Sequence, residues 1–239
     1  MKILAFDSTA KIASVSVTEN DREIATFNVN NGLTQSELLL PMAEDVLRRV
    51  GISFSDIDLF SATMGPGSFT GVRIGAALIK GLAFGRGIAC VEVSTLDSLA
   101  ENLSGINGII VPVMDARRNQ VYTATFKSCE GKLERVTEDR AISLTELAEH
   151  LKCYSEPIYL VGDGYLVAKA GLLKEGVVTL DTPPILINEN AYSTARVAYR
   201  KYLAGEITSD KDVTPTYLRV PQAERERLEK LKSEENKNG

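Results

Sequence analysis

The sequence predicts an α/β protein of two lobes, each built in the order β-β-β-α-β-α-β-α. Strand-like and helix-like runs follow one another in that order twice, and a turn-rich NLSGING stretch separates the copies. The length of 239 residues exceeds the ~150 residues typical of one domain. The first lobe is expected over 1–105, the second over 106–220, and a charged tail over 221–239.

The chain opens with KILAFD, IASVSVT and REIATFNV, three alternating runs joined by short polar turns, which predict an antiparallel meander. Thr34 and Glu37 form a capping box before LLLPMAEDVLRRV, and Arg48, Arg49 and Gly51 close that helix. Pro41 inside it removes a hydrogen bond to the Glu37 carbonyl, predicting a kink or a break. IDLFSATM reads as a buried strand, ended by Gly65, Pro66 and Gly67, with Thr70 expected to cap a helix over 71–84. IACVEV and the run from Thr95 to Leu103 complete the first copy as strand and helix. In the second copy GIIVPVMD, QVYTATF and KLERVTE are expected as strands and SLTELAEHL as a helix. PIYLVGD and VVTL follow as strands, YLVAKAGLL and AYSTARVAYRKYLAG as helices. Two such copies are the signature of the two-lobed actin-like, ribonuclease H-like architecture, here with a reduced second lobe. Dense mixed charge from Pro221 onward predicts a frayed helix or disorder.

The net charge of -5 provides no global attraction to nucleic acid, so any RNA must meet a local patch or a partner. Cys90, Cys129 and Cys153 are odd in number and widely spaced, which fits neither a disulfide framework nor a zinc site and predicts buried thiols in a reducing compartment. Asp7 interrupts the opening before a signal-peptide core forms, and no apolar run approaches the ~18 residues of a membrane span. A soluble cytoplasmic protein is expected.

MGPGSFTGVRIG, residues 64–75, places a glycine-rich turn between a strand and a helix. Amides at such a helix start can hold an anion or a partner's carboxylate, which makes Gly65, Gly67 and Ser68 candidate ligand-loop residues. The G-x-G-x-x-x-G spacing is one residue longer than the dinucleotide fingerprint, and no Gly-Lys-Ser/Thr follows, so a Walker A loop is excluded. The alternative is structural: Gly67 supplies a positive-φ turn, while Gly71 and Gly75 let the helix approach a neighbour closely.

An actin-like ATPase holds phosphates between two β-hairpins, one per lobe. Asp7, Ser8 and Thr9 make a plausible first hairpin; the second, DARRNQ, offers Arg117 and Arg118 but no glycine. Those arginines either pair with phosphate or form a solvated turn or partner contact. Gly162, Asp163 and Gly164 fall where an adenosine-binding turn can lie. Weak or absent intrinsic ATPase is expected. A ribonuclease H-type nuclease needs carboxylates converging on two metals, yet the fourth strand ends in Met64 and Gly65. Metal-dependent transferases of this class need a histidine pair, and this chain has His150 alone. No metal, cofactor or catalytic residue is therefore assigned.

The first helix carries Leu38, Leu39, Leu40, Met42, Ala43, Val46, Leu47 and Val50, more apolar surface than one core-facing stripe requires. On the second helix Gly71, Gly75 and Leu78 share a side, with Arg73 on another. Leu38, Leu39, Met42, Val46, Gly71, Arg73, Gly75 and Leu78 are the candidate partner interface, two helices from each of two subunits forming a four-helix bundle. The alternative buries both helices between the sheet and the other lobe.

AFDSTA, SELLLP, MGPGSFTGVRIG, VSTLDSLA, MDARRNQVY, VGDGY and PTYLR, in that order along the chain, resemble the bacterial TsaB family, also called YeaZ. The resemblance implies a non-catalytic subunit of the machinery that forms N6-threonylcarbamoyladenosine at position 37 of tRNAs reading ANN codons. In that machinery the paralogue TsaD carries the metal and transfers the threonylcarbamoyl group, TsaC makes the adenylate and TsaE is the ATPase partner. It further implies docking to TsaD through the first lobe, a homodimer through the same surface, at most indirect contact with tRNA, and no membrane. Where many relatives have His-Ser-Glu, this chain has Gln35, Ser36 and Glu37. The rival readings are an actin-like ATPase or small-molecule kinase and a stand-alone homodimeric binding protein.

Overall fold

The structure is a computed structural model and describes residues 1–117 and 119–219. The predicted tail over 221–239 and the candidate Arg118 lie outside the described residues. In the first lobe β1 (Lys2–Asp7), β2 (Ala13–Glu19) and β3 (Arg22–Val29) form the expected meander. Strands β4 (Leu59–Thr63) and β5 (Ala89–Val93) add in parallel beside β1, so the order is β3-β2-β1-β4-β5. Alternation along β1 sorts the core into two layers. Leu4 and Phe6 join Val15, Val17 and Phe60 beneath α1 (Gln35–Val50) and α2 (Phe69–Ala83), whereas Ile3 and Ala5 face α6 (Ala191–Leu203).

Local signals set the ends of α1. The Thr34 amide donates to Glu37 Oε2 at 2.9 Å in the predicted capping box, and Gly51 closes the helix in the left-handed conformation, φ 68°. The helix runs unbroken through Pro41, so the break alternative fails. The cap of α2 is Ser68 rather than Thr70: Ser68 Oγ accepts the Gly71 amide at 3.2 Å. The Ser68 amide is already bonded to the Thr9 carbonyl at 2.7 Å, which places the non-helical residue there and leaves Thr70 inside the first turn.

The second lobe contains β6 (Gly108–Asp115), β7 (Gln120–Thr123), β8 (Phe126–Cys129), β9 (Lys132–Arg135), β10 (Arg140–Ser143) and β11 (Ile158–Val161), with α4 (Leu144–Leu151) and α5 (Tyr165–Lys174). The expected strand QVYTATF is split into β7 and β8, both antiparallel to β6; the expected KLERVTE is shortened to β9, and an unforeseen β10 follows it. Thr125 lies at the break. Its carbonyl accepts the amides of Val136 and Thr137 at 2.8 and 3.2 Å, and its amide donates to Thr137 Oγ1 at 2.9 Å. That arrangement interrupts the ladder as a bulge does.

The expected strand VVTL is reduced to one parallel bridge, Tyr159 to Leu180. Pro183 and Pro184 follow, the latter opening a short 3₁₀ turn at Pro184–Leu186, and proline cannot donate to a ladder. With the two breaks bridged, the second sheet repeats the order of the first, three antiparallel positions followed by parallel β11. Two lobes of this duplicated order facing one another across a cleft form the actin-like architecture.

The lobes exchange helices. Leu96, Leu99 and Ala100 of α3 (Thr95–Glu101) pack with Ile110, Met114, Phe126 and Val161 of the second sheet, while Ala191, Ala195 and Ala198 of α6 pack on the first. Thr208 exchanges two backbone hydrogen bonds with Cys90, at 2.7 and 2.9 Å, and Val213 is buried in the first core. Helix α6, Thr208 and Val213, which the sequence groups with the second lobe, therefore rest on the first lobe. Where α3 and α6 meet, the buried Glu101 carboxylate lies between Arg196, 2.7 Å away, and Arg200.

Removing that carboxylate leaves two arginines facing each other, both partly open to water. Glu101→Ala should cost about 2 kcal/mol in urea unfolding, less than the ~3–5 kcal/mol of a fully buried pair. Of the three cysteines only Cys90 is buried, where burial pushes its thiol up to about 11. Cys129 and Cys153 are exposed, the first because it ends β8 beside the Glu130–Gly131 turn. Among the described residues no helix is long and apolar enough to cross a membrane.

Candidate functional site

The glycine loop is occupied by other parts of the chain. Gly67 has φ 156°, and a Cβ there would stand 2.5 Å from the Thr9 carbonyl oxygen. At Gly71 a Cβ would stand 1.9 Å from the Ser8 carbonyl oxygen, and Ser8 Oγ donates to the Gly71 carbonyl at 2.9 Å. The turn after β1 is thus seated directly on the head of α2. Two amides there are engaged, Ser68 with Thr9 and Gly71 with Ser68 Oγ. Gly65 meets the C-terminal segment instead, with Thr216 donating its amide to the Met64 carbonyl at 2.7 Å.

Asp7 ends β1 fully buried. Its Oδ1 accepts from the Thr9 amide and hydroxyl at 3.0 and 2.7 Å, while its Oδ2 has no hydrogen-bond partner among the described residues. Burial raises its carboxyl above the ordinary range, against the opposing bonds from Thr9. Glu189, just before α6, is also buried, and its Oε1 has no partner among the described residues. Burial, then the nearby Asp7 and Asp163 carboxyls, push it up to about 8.

On the second lobe the β6–β7 turn is closed by Ala116 donating to Gln120 at 3.0 Å and by Arg117 donating to Asp115 Oδ1 at 2.7 Å. Arg117 and Asn119 take positive φ, 63° and 57°, so the turn forms without glycine. The Gly162–Gly164 turn lies against it. A Cβ on Gly162, φ 111°, would stand 2.4 Å from the Val113 carbonyl oxygen, and Asp163 Oδ1 accepts the Asp115 amide at 3.2 Å. The Asp163 carboxyl is raised, first by desolvation within the cleft.

Between these walls lies a cleft of about 540 Å³. Of the sequence-predicted ligand-loop residues, Thr9, Gly67, Ser68, Arg117 and Asp163 line it together. Asp7, Ser8, Gly65, Gly162 and Gly164 are buried behind its walls. Sequence reasoning missed Lys11, Asp115, Tyr217 and Arg219 in the lining and Glu189 below it. Asn190, capping α6 through the Tyr192 amide, was the legible signal beside Glu189, but nothing local distinguishes that glutamate from a solvated one. His150 lies elsewhere, with Nε2 3.2 Å from Thr125 Oγ1. Burial, then Arg140, lowers its pKa. Among the described residues no three His, Cys, Asp or Glu side chains are grouped to hold a metal ion.

The candidate interface residues separate. Leu39, Met42 and Val46 are buried in the first core, and Gly71 and Gly75 are turned toward Ser8, so these five belong to the interior of the lobe. The physical reason is that α1 packs on the sheet through Leu39, Met42, Ala43, Val46 and Leu47, and α2 needs small residues where the β1–β2 turn crosses it. Leu38 and Leu78 are half-buried, while Arg73 and Leu40 are exposed.

The TsaD family model, described as tRNA N6-adenosine threonylcarbamoyltransferase, matches residues 34–224. The tRNA threonylcarbamoyladenosine biosynthesis protein TsaB of Bacillus subtilis (strain 168) is 30% identical over 234 residues, 97% of this chain and 100% of that protein. The protein of the same name from Escherichia coli (strain K12) is 31% identical over 222 residues, 92% of this chain and 95% of its own. The structure of YeaZ from Pseudomonas aeruginosa superposes with a TM-score of 0.75 at 23% identity, covering 91% of this chain and 99% of that one, which supports the fold. The duplicated lobes, the glycine loop at 64–75 and full-length similarity to these relatives together establish that the chain belongs to the TsaB family.

Proposed function

We propose that this chain is a non-catalytic scaffold subunit in the formation of N6-threonylcarbamoyladenosine at position 37 of tRNAs reading ANN codons, docking TsaD through the outer surface of α1 and α2. The observation that carries this reading is the apolar side chains left on that surface after the core is packed. Leu40 is exposed, and Leu38, Ile74 and Leu78 are only half-buried. A helix pair with an apolar outer side is suited to a matching pair from a paralogue or a second copy. Membership of the TsaB family supports the pathway, and a seated β1–β2 turn where phosphates would approach α2 supports a non-catalytic role. In this reading TsaE joins the assembly, tRNA is reached through the partners, and the protein acts in the cytoplasm.

The direct test is threonylcarbamoyladenosine formation on tRNA in a mixture of TsaC, TsaD, TsaE, ATP, bicarbonate and threonine, with and without this protein. Product should depend on it, and equal product in its absence would overturn the scaffold role. Nucleotide affinity of the isolated chain separates this reading from the ATPase or kinase alternative. Adjacent substitutions locate the surface. Leu39, 1% exposed, cannot accept a charge, so Leu39→Asp should unfold the chain. Leu40 is 40% exposed, so Leu40→Asp should keep the circular-dichroism spectrum and melting temperature while weakening TsaD binding at least tenfold, as read by calorimetry. Unchanged affinity would move the docking site elsewhere.

A further inference from the structure

The last described residues cross from one lobe to the other over the mouth of the cleft. Lys80 Nζ donates to the Val213 carbonyl at 3.0 Å, and the Thr216 amide donates to Met64 at 2.7 Å, which fixes the segment to the first lobe. The Tyr217 ring then lies on Phe69, centroids 4.9 Å apart, and Arg73 Nε donates to the Tyr217 hydroxyl at 2.9 Å. The Arg73 guanidinium sits 3.7 Å over the Phe69 ring, so the three side chains form one cluster on α2.

Two residues later the attachment changes lobes. Arg219 Nη1 donates to the Ala116 carbonyl at 3.0 Å and Nη2 to the Gln120 side chain, both on the β6–β7 turn. The same guanidinium lies 5.6 Å from the Tyr122 ring. Thr216, Tyr217, Leu218 and Arg219 all line the cleft.

Only Leu218 separates the two anchors, and two residue steps of extended backbone span at most about 7 Å. Such a tie is short. The lobes cannot part at this edge unless Tyr217 leaves Phe69 or Arg219 leaves the second-lobe turn. The geometry points to residues 216–219 acting as a latch that holds the two lobes together across the cleft and controls access to it. Each anchor is built from surface groups rather than core: Tyr217 is exposed and Arg219 only partly buried. The latch can therefore open without unfolding either lobe, and lobe opening is the motion that a two-lobed fold with a central cleft permits.

The decisive property is action at the opposite lobe. Tyr217→Ala removes the ring and hydroxyl contacts on α2 and leaves Thr216 as the first-lobe attachment, while Arg219→Ala removes the second-lobe anchor; among the described residues Tyr217 has no hydrogen bond to the β6–β7 turn and Arg219 none to α2. Hydrogen exchange of the full-length protein, followed amide by amide, reads both. In each variant the amides of Ala116 and Gln120 on one lobe and of Thr216 on the other should exchange at least tenfold faster than in the parent. The central-strand amides of Ala5 and Val111 should keep their rates. If each variant speeds only the amides beside its own substitution, the segment is two local contacts and not a latch. Loss of protection extending into the central strands would equally overturn the proposal, because the segment would then be part of the core.

Discussion

Glu189→Gln is expected to stabilise this protein at neutral pH. The Glu189 carboxyl is buried beside Asp7 and Asp163 and is pushed up to about 8 from an ordinary 4.5. With the folded value above the unfolded one, folding favours the protonated form. The stabilisation is fully present below about pH 4.5 and is lost progressively as pH rises to about 8, because in that window the unfolded chain releases a proton that the folded chain keeps. At ~1.4 kcal/mol per pH unit, the loss at pH 7 is on the order of 3 kcal/mol. Glutamine retains the neutral shape and has no proton to release. Urea unfolding of parent and variant at pH 5, 7 and 8.5 should show a gap that widens with pH in favour of the variant. Parallel curves would place the Glu189 carboxyl in water.

Gly71→Ala carries a large effect of opposite sign. In an open helix interior this change stabilises by up to about 1 kcal/mol, since alanine is the better helix former. Here the added methyl would stand 1.9 Å from a backbone oxygen of Ser8, and neither the β1–β2 turn nor α2 can withdraw without exposing core. A loss of about 3 kcal/mol or more is expected, in the range of severe overpacking. Gly81→Ala on the same helix is the control. A Cβ there meets nothing within 4 Å, so that variant should be unchanged or slightly more stable. Equal behaviour of the two variants in thermal unfolding would refute the close seating of the turn.

The contrast between Gly71 and Leu40 shows how far the site was legible in the sequence. The over-apolar first helix is visible from composition and spacing alone, and the structure leaves Leu40 exposed. Which of its leucines are interior depends on the helix's rotation about its own axis, which the sheet decides. Gly71 and Gly75 invite both a docking and a packing interpretation because a glycine pair four residues apart suits any close neighbour. Ser8 is that neighbour, and it lies sixty-three positions away from Gly71 along the chain. The split of QVYTATF at Thr125 was illegible for the same reason, since the interruption is made by Val136 and Thr137 from the link between β9 and β10.

By itself the sequence determined most of the strand and helix types, the duplicated order of elements, the Thr34 and Gly51 helix ends, and membership of the family. The elements and caps rest on periodicity and on capping chemistry among residues a few positions apart, while family membership rests on the ordered motifs and the full-length relatives. Only the tertiary structure decided that α3 covers the second sheet and α6 the first, that Glu189 lies buried beside Asp7, and that residues 216–219 bridge the cleft. Each of those outcomes joins segments distant in sequence. They follow from which apolar faces find one another when the two lobes close, a choice made by burial across the whole chain and not by any local pattern.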